Sequence, residues 1–174
     1  MERVDRRRRL SCLGVALLAL ILLGGSVAWL FRDELFHPFG DVRACEGSDA
    51  ELPGVIVAGG ATLPADASDV HYYTKGGTVE VTFTSDRVPD YLHRTGILPE
   101  DGDLFDEKYG EKGVAADEIE LPEGLCGSSL RGPVRDFHPT GPGGHAVSVT
   151  VETSPIAPDL LRSPARTVIT FDLP

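Results

Sequence analysis

Thr78-Val-Glu-Val-Thr-Phe-Thr84 alternates without a break, setting Val79, Val81 and Phe83 on one side and Thr78, Glu80, Thr82 and Thr84 on the other. A period of two carried by β-branched and aromatic residues predicts a strand of an antiparallel sheet with one face in the core. Asp69-Val-His-Tyr-Tyr-Thr74 precedes it, and Lys75-Gly76-Gly77 between them predicts a tight hairpin. Two more strands are expected near the end of the chain. Ala146–Glu152 groups Val147, Val149 and Val151, and Arg166–Leu173 groups Ile169, Phe171 and Leu173. Val55-Ile-Val-Ala, stopped by Gly59-Gly60, predicts a short strand. One short helix is expected after Ser85-Asp86, with Pro89 in its first turn and Gly96 at its end. Residues 127–144, punctuated by Gly and Pro, carry no period and read as loop.

The apolar run Leu10–Phe31 has no charge at all. As a helix it would be about 33 Å long, against a bilayer hydrocarbon core of about 30 Å. Arg3 and Arg6 to Arg9, against Glu2 and Asp5, precede it, while Arg32, Asp33 and Glu34 follow it. The positive-inside rule then leaves the N-terminus in the cytoplasm and the rest outside. The expected organisation is a cytoplasmic Arg-rich tail (1–9), a transmembrane signal-anchor helix (10–31), an irregular juxtamembrane segment (32–68) and an extracytoplasmic domain (69–174) to which Cys45 is tethered. Secretion after cleavage near Ala28 is the alternative, since Ser26-Val27-Ala28 offers the small residues a signal peptidase reads. The fold class expected is α+β: the transmembrane helix, then a mainly antiparallel β domain of four to five strands with one or two short helices, one sheet face covered.

Charge sharpens this picture. The chain carries a formal −11, and the basic N-terminal 31 residues contribute +3, which leaves the exported part at about −14. Such a domain repels nucleic acid, whose binding is dominated by basic contacts, so no nucleic-acid partner is expected. Cys12 lies within the apolar run. Cys45 and Cys126 are the remaining two, and an even pair in an oxidising compartment predicts a disulfide between them.

Three constellations bear on chemistry. The acidic stretch 100–107 (Glu100, Asp101, Asp103, Asp106, Glu107) has the composition of a hard-cation site. An EF-hand loop starting at Asp101 would need an oxygen ligand, Gly and Glu where the chain has Phe105, Asp106 and Lys112. A hydrolase would take Ser128 or Ser129 as nucleophile, His138 or His145 as base and Asp136 as orienting acid. Cys126-Gly-Ser-Ser-Leu130, however, lacks the Gly-x-Ser-x-Gly elbow that exposes a nucleophilic serine. The outward face of the predicted hairpin, with His71, Tyr73, Glu80, Thr82 and Thr84, reads either as a mixed polar and aromatic binding surface or as the wet face of the sheet. No zinc spacing joins the histidines.

The Arg-rich start, the apolar run and the pattern Leu63-Pro-Ala-Asp-Ala-Ser-Asp-Val-His-Tyr-Tyr…Gly-Gly…Val-Thr-Phe over residues 63–83 resemble the small single-pass or secreted proteins of actinobacteria. That family has no assigned activity, so the resemblance implies placement in the envelope and no residue roles. The expectation is a membrane-anchored, acidic, non-catalytic binding or interaction module. Its partners would be the membrane, through residues 10–31, and an envelope protein or cell-wall component. No cofactor, catalytic residue or metal ligand is assigned. The extracytoplasmic hydrolase and the cation-binding domain stand as alternatives.

Overall fold

The computed structural model describes residues 20–22, 24–26, 38–138, 147–157 and 159–173. The hairpin is where local sequence acts most directly. Strands β3 (Ser68–Lys75) and β4 (Thr78–Ser85) pair antiparallel and close at Lys75↔Thr78. Gly76 and Gly77 both hold positive φ (60° and 87°), which a two-residue turn matched to strand twist requires. β4 then pairs along its whole length with β8 (Ala165–Asp172), from Thr78↔Asp172 to Ser85↔Ala165. Beyond β8 lie β7 (Ser148–Glu152), β6 (Val134–Phe137) and the two-residue β5 (Glu111–Lys112). The sheet order is therefore β3-β4-β8-β7-β6-β5, antiparallel throughout. A separate small hairpin joins β1 (Val57–Ala58) to β2 (Ala61–Thr62). Among the described residues beyond 37, the helical structure is one turn of 3-10 helix (Pro38–Gly40) and α1 (Val88–Arg94).

The architecture corrects the α+β expectation. Among the described residues, eight strands in two sheets and two short helical pieces make the domain mostly β, and its main sheet has six strands rather than four or five. The strand within 127–144 was hidden because Val134-Arg-Asp-Phe137 turns a charged residue inward: Arg135 is only 2% exposed. Its guanidinium lies over the Phe105 and Phe137 rings (5.6 and 5.7 Å) and donates to the backbone carbonyls of Asp106 and Gly110. Carbonyl acceptors and aromatic faces thus replace the water a buried cation loses. Most of the predicted transmembrane helix lies outside the described residues. Residues 20–22 and 24–26 are helical, but among the described residues no helix is long and apolar enough to cross a membrane. The short helix is found, with a different cap: Arg87 occupies the N-cap position, and the Ser85 hydroxyl accepts the Arg87 backbone N–H at 2.9 Å.

One row of side chains organises the core. Register aligns Tyr72, Val81, Ile169, Val149 and Phe137 across five adjacent strands, all fully buried. Each contributes roughly 1.5–3 kcal/mol through burial. Helix α1 covers this face with Val88, Tyr91 and Leu92, and Tyr91 meets Phe83 edge to face at 5.9 Å. The Tyr91 hydroxyl donates to the Ala58 carbonyl at 2.7 Å, and burial pushes its pKa up. Residues 38–68, expected to be irregular, supply Ala44, Leu52, Ile56 and Ala58 to the same core. Asp41 is hydrogen-bonded by Arg43 (2.7 Å) and by the Tyr72 hydroxyl (3.2 Å). The Arg43 guanidinium chiefly holds its pKa down at about 2.

The second face is covered too, contrary to expectation. Ala44 bridges Tyr72 at the outer edge of β3, so Cys45, one residue on, turns to the opposite face. There it bonds Cys126 across 81 residues. The staple holds the 113–132 segment against the sheet, where Leu125 and Leu130 pack with Val134 and Val168. Gly124, at φ 96°, runs so close to the Tyr73 ring that any Cβ would collide with it. Thr82 is fully buried, and burial raises the Glu80 carboxyl above its ordinary range. The outward hairpin residues are therefore largely under a loop, neither a wet face nor an open binding surface.

Two outcomes follow from this packing. Replacing Cys45 and Cys126 by serine lowers stability by about 4 kcal/mol, the loop-closure value for a separation of 81 residues; urea unfolding measures it, and an unchanged midpoint would contradict the stapling role. Asp41 has a depressed folded pKa, so its contribution is complete above its unfolded value of about 4 and is lost as pH falls toward about 2. Thermal melts from pH 5 to 2 should show a shallower decline for Asp41→Asn than for the parent chain.

Candidate functional site

At one end of the sheet the second face carries charge instead of apolar residues. Register sets Thr84 of β4 opposite Arg166 of β8, and Glu152 of β7 opposite Val134 of β6. Because Val151 pairs with Thr167, Glu152 comes beside Arg166. Thr84, Glu152 and Arg166 floor a cleft of about 380 Å³, walled by residues 154–156 and 161–164 and by Arg131.

Glu152, 1% exposed, is the hub. Its Oε1 accepts the Arg131 backbone N–H at 2.6 Å, and its Oε2 lies 3.5 Å from the Arg166 backbone N and 3.8 Å from Arg162 Nε. A buried carboxylate survives desolvation only with donors such as these. Arg162 spends Nη2 on the Gly132 carbonyl (3.0 Å), and Arg166 spends Nη2 on Asp69 Oδ2 (2.8 Å). Asp69 stands in a β-bulge with φ 49°, a left-handed conformation that short polar residues tolerate. From there its other oxygen meets His71 Nε2 at 3.0 Å, and the Arg166 hydrogen bond chiefly lowers its pKa. Among the described residues, Arg131 has no ion-pair partner. Arg162 Nε, Arg166 Nη1 and Thr84 Oγ1 are buried without any hydrogen-bond partner, and all three belong to residues of the cleft.

The residues expected to carry chemistry are dispersed. Cys45 and Cys126 form the disulfide. Ser128 is exposed and follows Gly127, which lies against His71 and Thr82 on β3 and β4. Asp136 is on β6, three strands from β4 and therefore about 14 Å away, and its carboxylate accepts from Thr150. His138, exposed at the end of β6, is 3.3 Å from the Ser148 hydroxyl and 3.7 Å from Glu111. Ser129 donates to Glu118 at 2.7 Å, and His145 lies outside the described residues. In the 100–107 stretch, Asp103 and Asp106 each accept a backbone N–H two residues on, as turn-forming carboxylates do. Among the described residues no group of three or more His, Cys, Asp or Glu is arranged to hold a metal ion.

No protein-family model, curated protein or solved structure matches this chain. The cleft is therefore read from its own chemistry. Guanidinium groups stay protonated at any working pH and cannot act as bases, but they orient and hold anions through planar forks. Ser154 and Ser163 add hydroxyls at the wall. Sequence reasoning passed over this set because Arg131 and Arg162 lie in loops without period. Glu152 was hidden as the last residue of a valine stripe.

Breaking the hub tests the arrangement. Glu152→Ala strands Arg162 and two backbone donors, and should cost about 3 kcal/mol in urea unfolding, while Glu152→Gln, which keeps an acceptor, should cost clearly less.

Proposed function

We propose that this chain is a non-catalytic binding domain working outside the cytoplasm, and that the cleft between Arg131, Arg162 and Arg166 is where it takes its ligand. The observation that carries the reading is the cleft itself: three guanidiniums around one buried carboxylate, with donors left unpaired. Fixed cations of this kind bind and orient. The Cys45–Cys126 disulfide fits an oxidising extracytoplasmic compartment. The resemblance of residues 63–83 to actinobacterial exported proteins is in keeping with that placement. Residues 10–31 would deliver the domain and keep it at the membrane, with release by cleavage near Ala28 as the alternative. An envelope protein or a cell-wall component is the expected source of the ligand.

Cells producing the full chain test both halves of the proposal. Protease added to intact spheroplasts should remove the domain, and a fluorophosphonate probe should leave Ser128 and Ser129 unlabelled. A domain protected until lysis would overturn the placement. Labelling of Ser128 that His138→Ala abolishes would overturn the non-catalytic reading.

A further inference from the structure

The geometry points to a specific ligand class: we infer that the cleft binds a small molecule with an oxyanion head, carboxylate or phosphate, joined to an apolar body. This rests on the binding-domain reading and names its ligand.

Charge distribution is the first support. The residues after the apolar run carry a large negative balance, yet this cleft is lined by three guanidiniums and a single carboxylate. Of the nearby acids, Glu152 accepts from backbone N–H groups and lies 3.8 Å from Arg162 Nε, Asp69 lies outside the lining and holds only Nη2 of Arg166, and Asp86 accepts from the Ser163 hydroxyl at 2.6 Å. Arg131 keeps its whole fork free among the described residues. The second support is the unpaired donors. A buried N–H without an acceptor is destabilising, and neither Arg166 Nη1 nor Arg162 Nε, 3.8 Å from Glu152 Oε2, makes a hydrogen bond. An oxyanion offers several acceptor lone pairs to guanidiniums turned by a rotamer step, and the pairing is charge-assisted.

The rest of the lining sets the body. Pro155, Leu161 and Pro164 are apolar, and Ile156 stands at the rim 93% exposed, an unusual position for so large an aliphatic side chain. A space of about 380 Å³ exceeds what a bare oxyanion fills, so an apolar extension has both room and partners.

Isothermal titration of the purified full chain in one detergent, at constant ionic strength, tests this. Hexanoate and hexyl phosphate distinguish the two heads; acetate and inorganic phosphate lack the body, and hexanol lacks the charge. At least one hexyl anion should bind tenfold or more tighter than hexanol and tighter than its short counterpart. Arg131→Gln, at an exposed side chain, should weaken it at least fivefold with no change in melting temperature. Arg162→Gln should weaken it at least as much, and Lys112→Gln, on the far edge strand, should leave it unchanged. Equal binding of hexanol, or wild-type affinity in both arginine variants, overturns the proposal. Equal binding of hexanol leaves the binding-domain reading intact if the serines stay unlabelled, whereas wild-type affinity in both arginine variants also removes the cleft as its ligand site. Labelling of Ser128 would instead remove the non-catalytic reading without altering a measured anion affinity.

Discussion

The strand edge at Ala44 and Cys45 is the point on which both layers of this domain depend. Ala44 bridges Tyr72 and enters the main core, and the next side chain must leave on the other face. That parity carries Cys45 to Cys126 and so fastens the 113–132 segment over β3 and β4. Without the fastening, a face bearing Thr82, Glu80 and His71 has few apolar residues with which to hold a cover. The staple compensates for a weak second core, as expected where apolar burial on one side of a sheet is small.

The same face changes character along the strands. Leu125 and Leu130 close it over Val168 and Val134. Directly beside Val134, in the row of Thr84 and Arg166, Glu152 gathers backbone donors while three guanidiniums border open space. A buried carboxylate that draws the surrounding loops together brings three arginines to one cleft, and the anion proposed for it would meet side chains whose backbone positions are already set. The Asp69 bulge belongs to this arrangement, since its left-handed backbone lets one carboxylate reach both His71 and Arg166.

Legibility in the sequence followed local periodicity. The β3–β4 hairpin, β7 and β8 could be read from alternation, and the helix from Pro89 and Gly96, because those signals act within a few residues. β6 could not, since Arg135 looks like a surface residue until Phe105 and Phe137 are brought to either side of it. The fold class was misjudged for the same reason: the two extra strands of the main sheet, β5 and β6, and a covered second face arise from contacts between distant segments. The cleft was illegible because Arg131, Glu152, Arg162 and Arg166 come from three separate stretches with no shared period.

By itself, the sequence determined the charge balance, the hairpin and its turn, the parity of the valine strands and the availability of one cysteine pair; each is a matter of composition or of neighbours along the chain. Only the tertiary structure decided which faces are covered, that Ser128 and Asp136 sit strands apart, and that arginines far apart in sequence border one cleft around Glu152. Strand order and register set those distances, and register is fixed by burying Tyr72, Val81, Ile169, Val149 and Phe137 together. That condition involves five strands at once, and no single segment contains it.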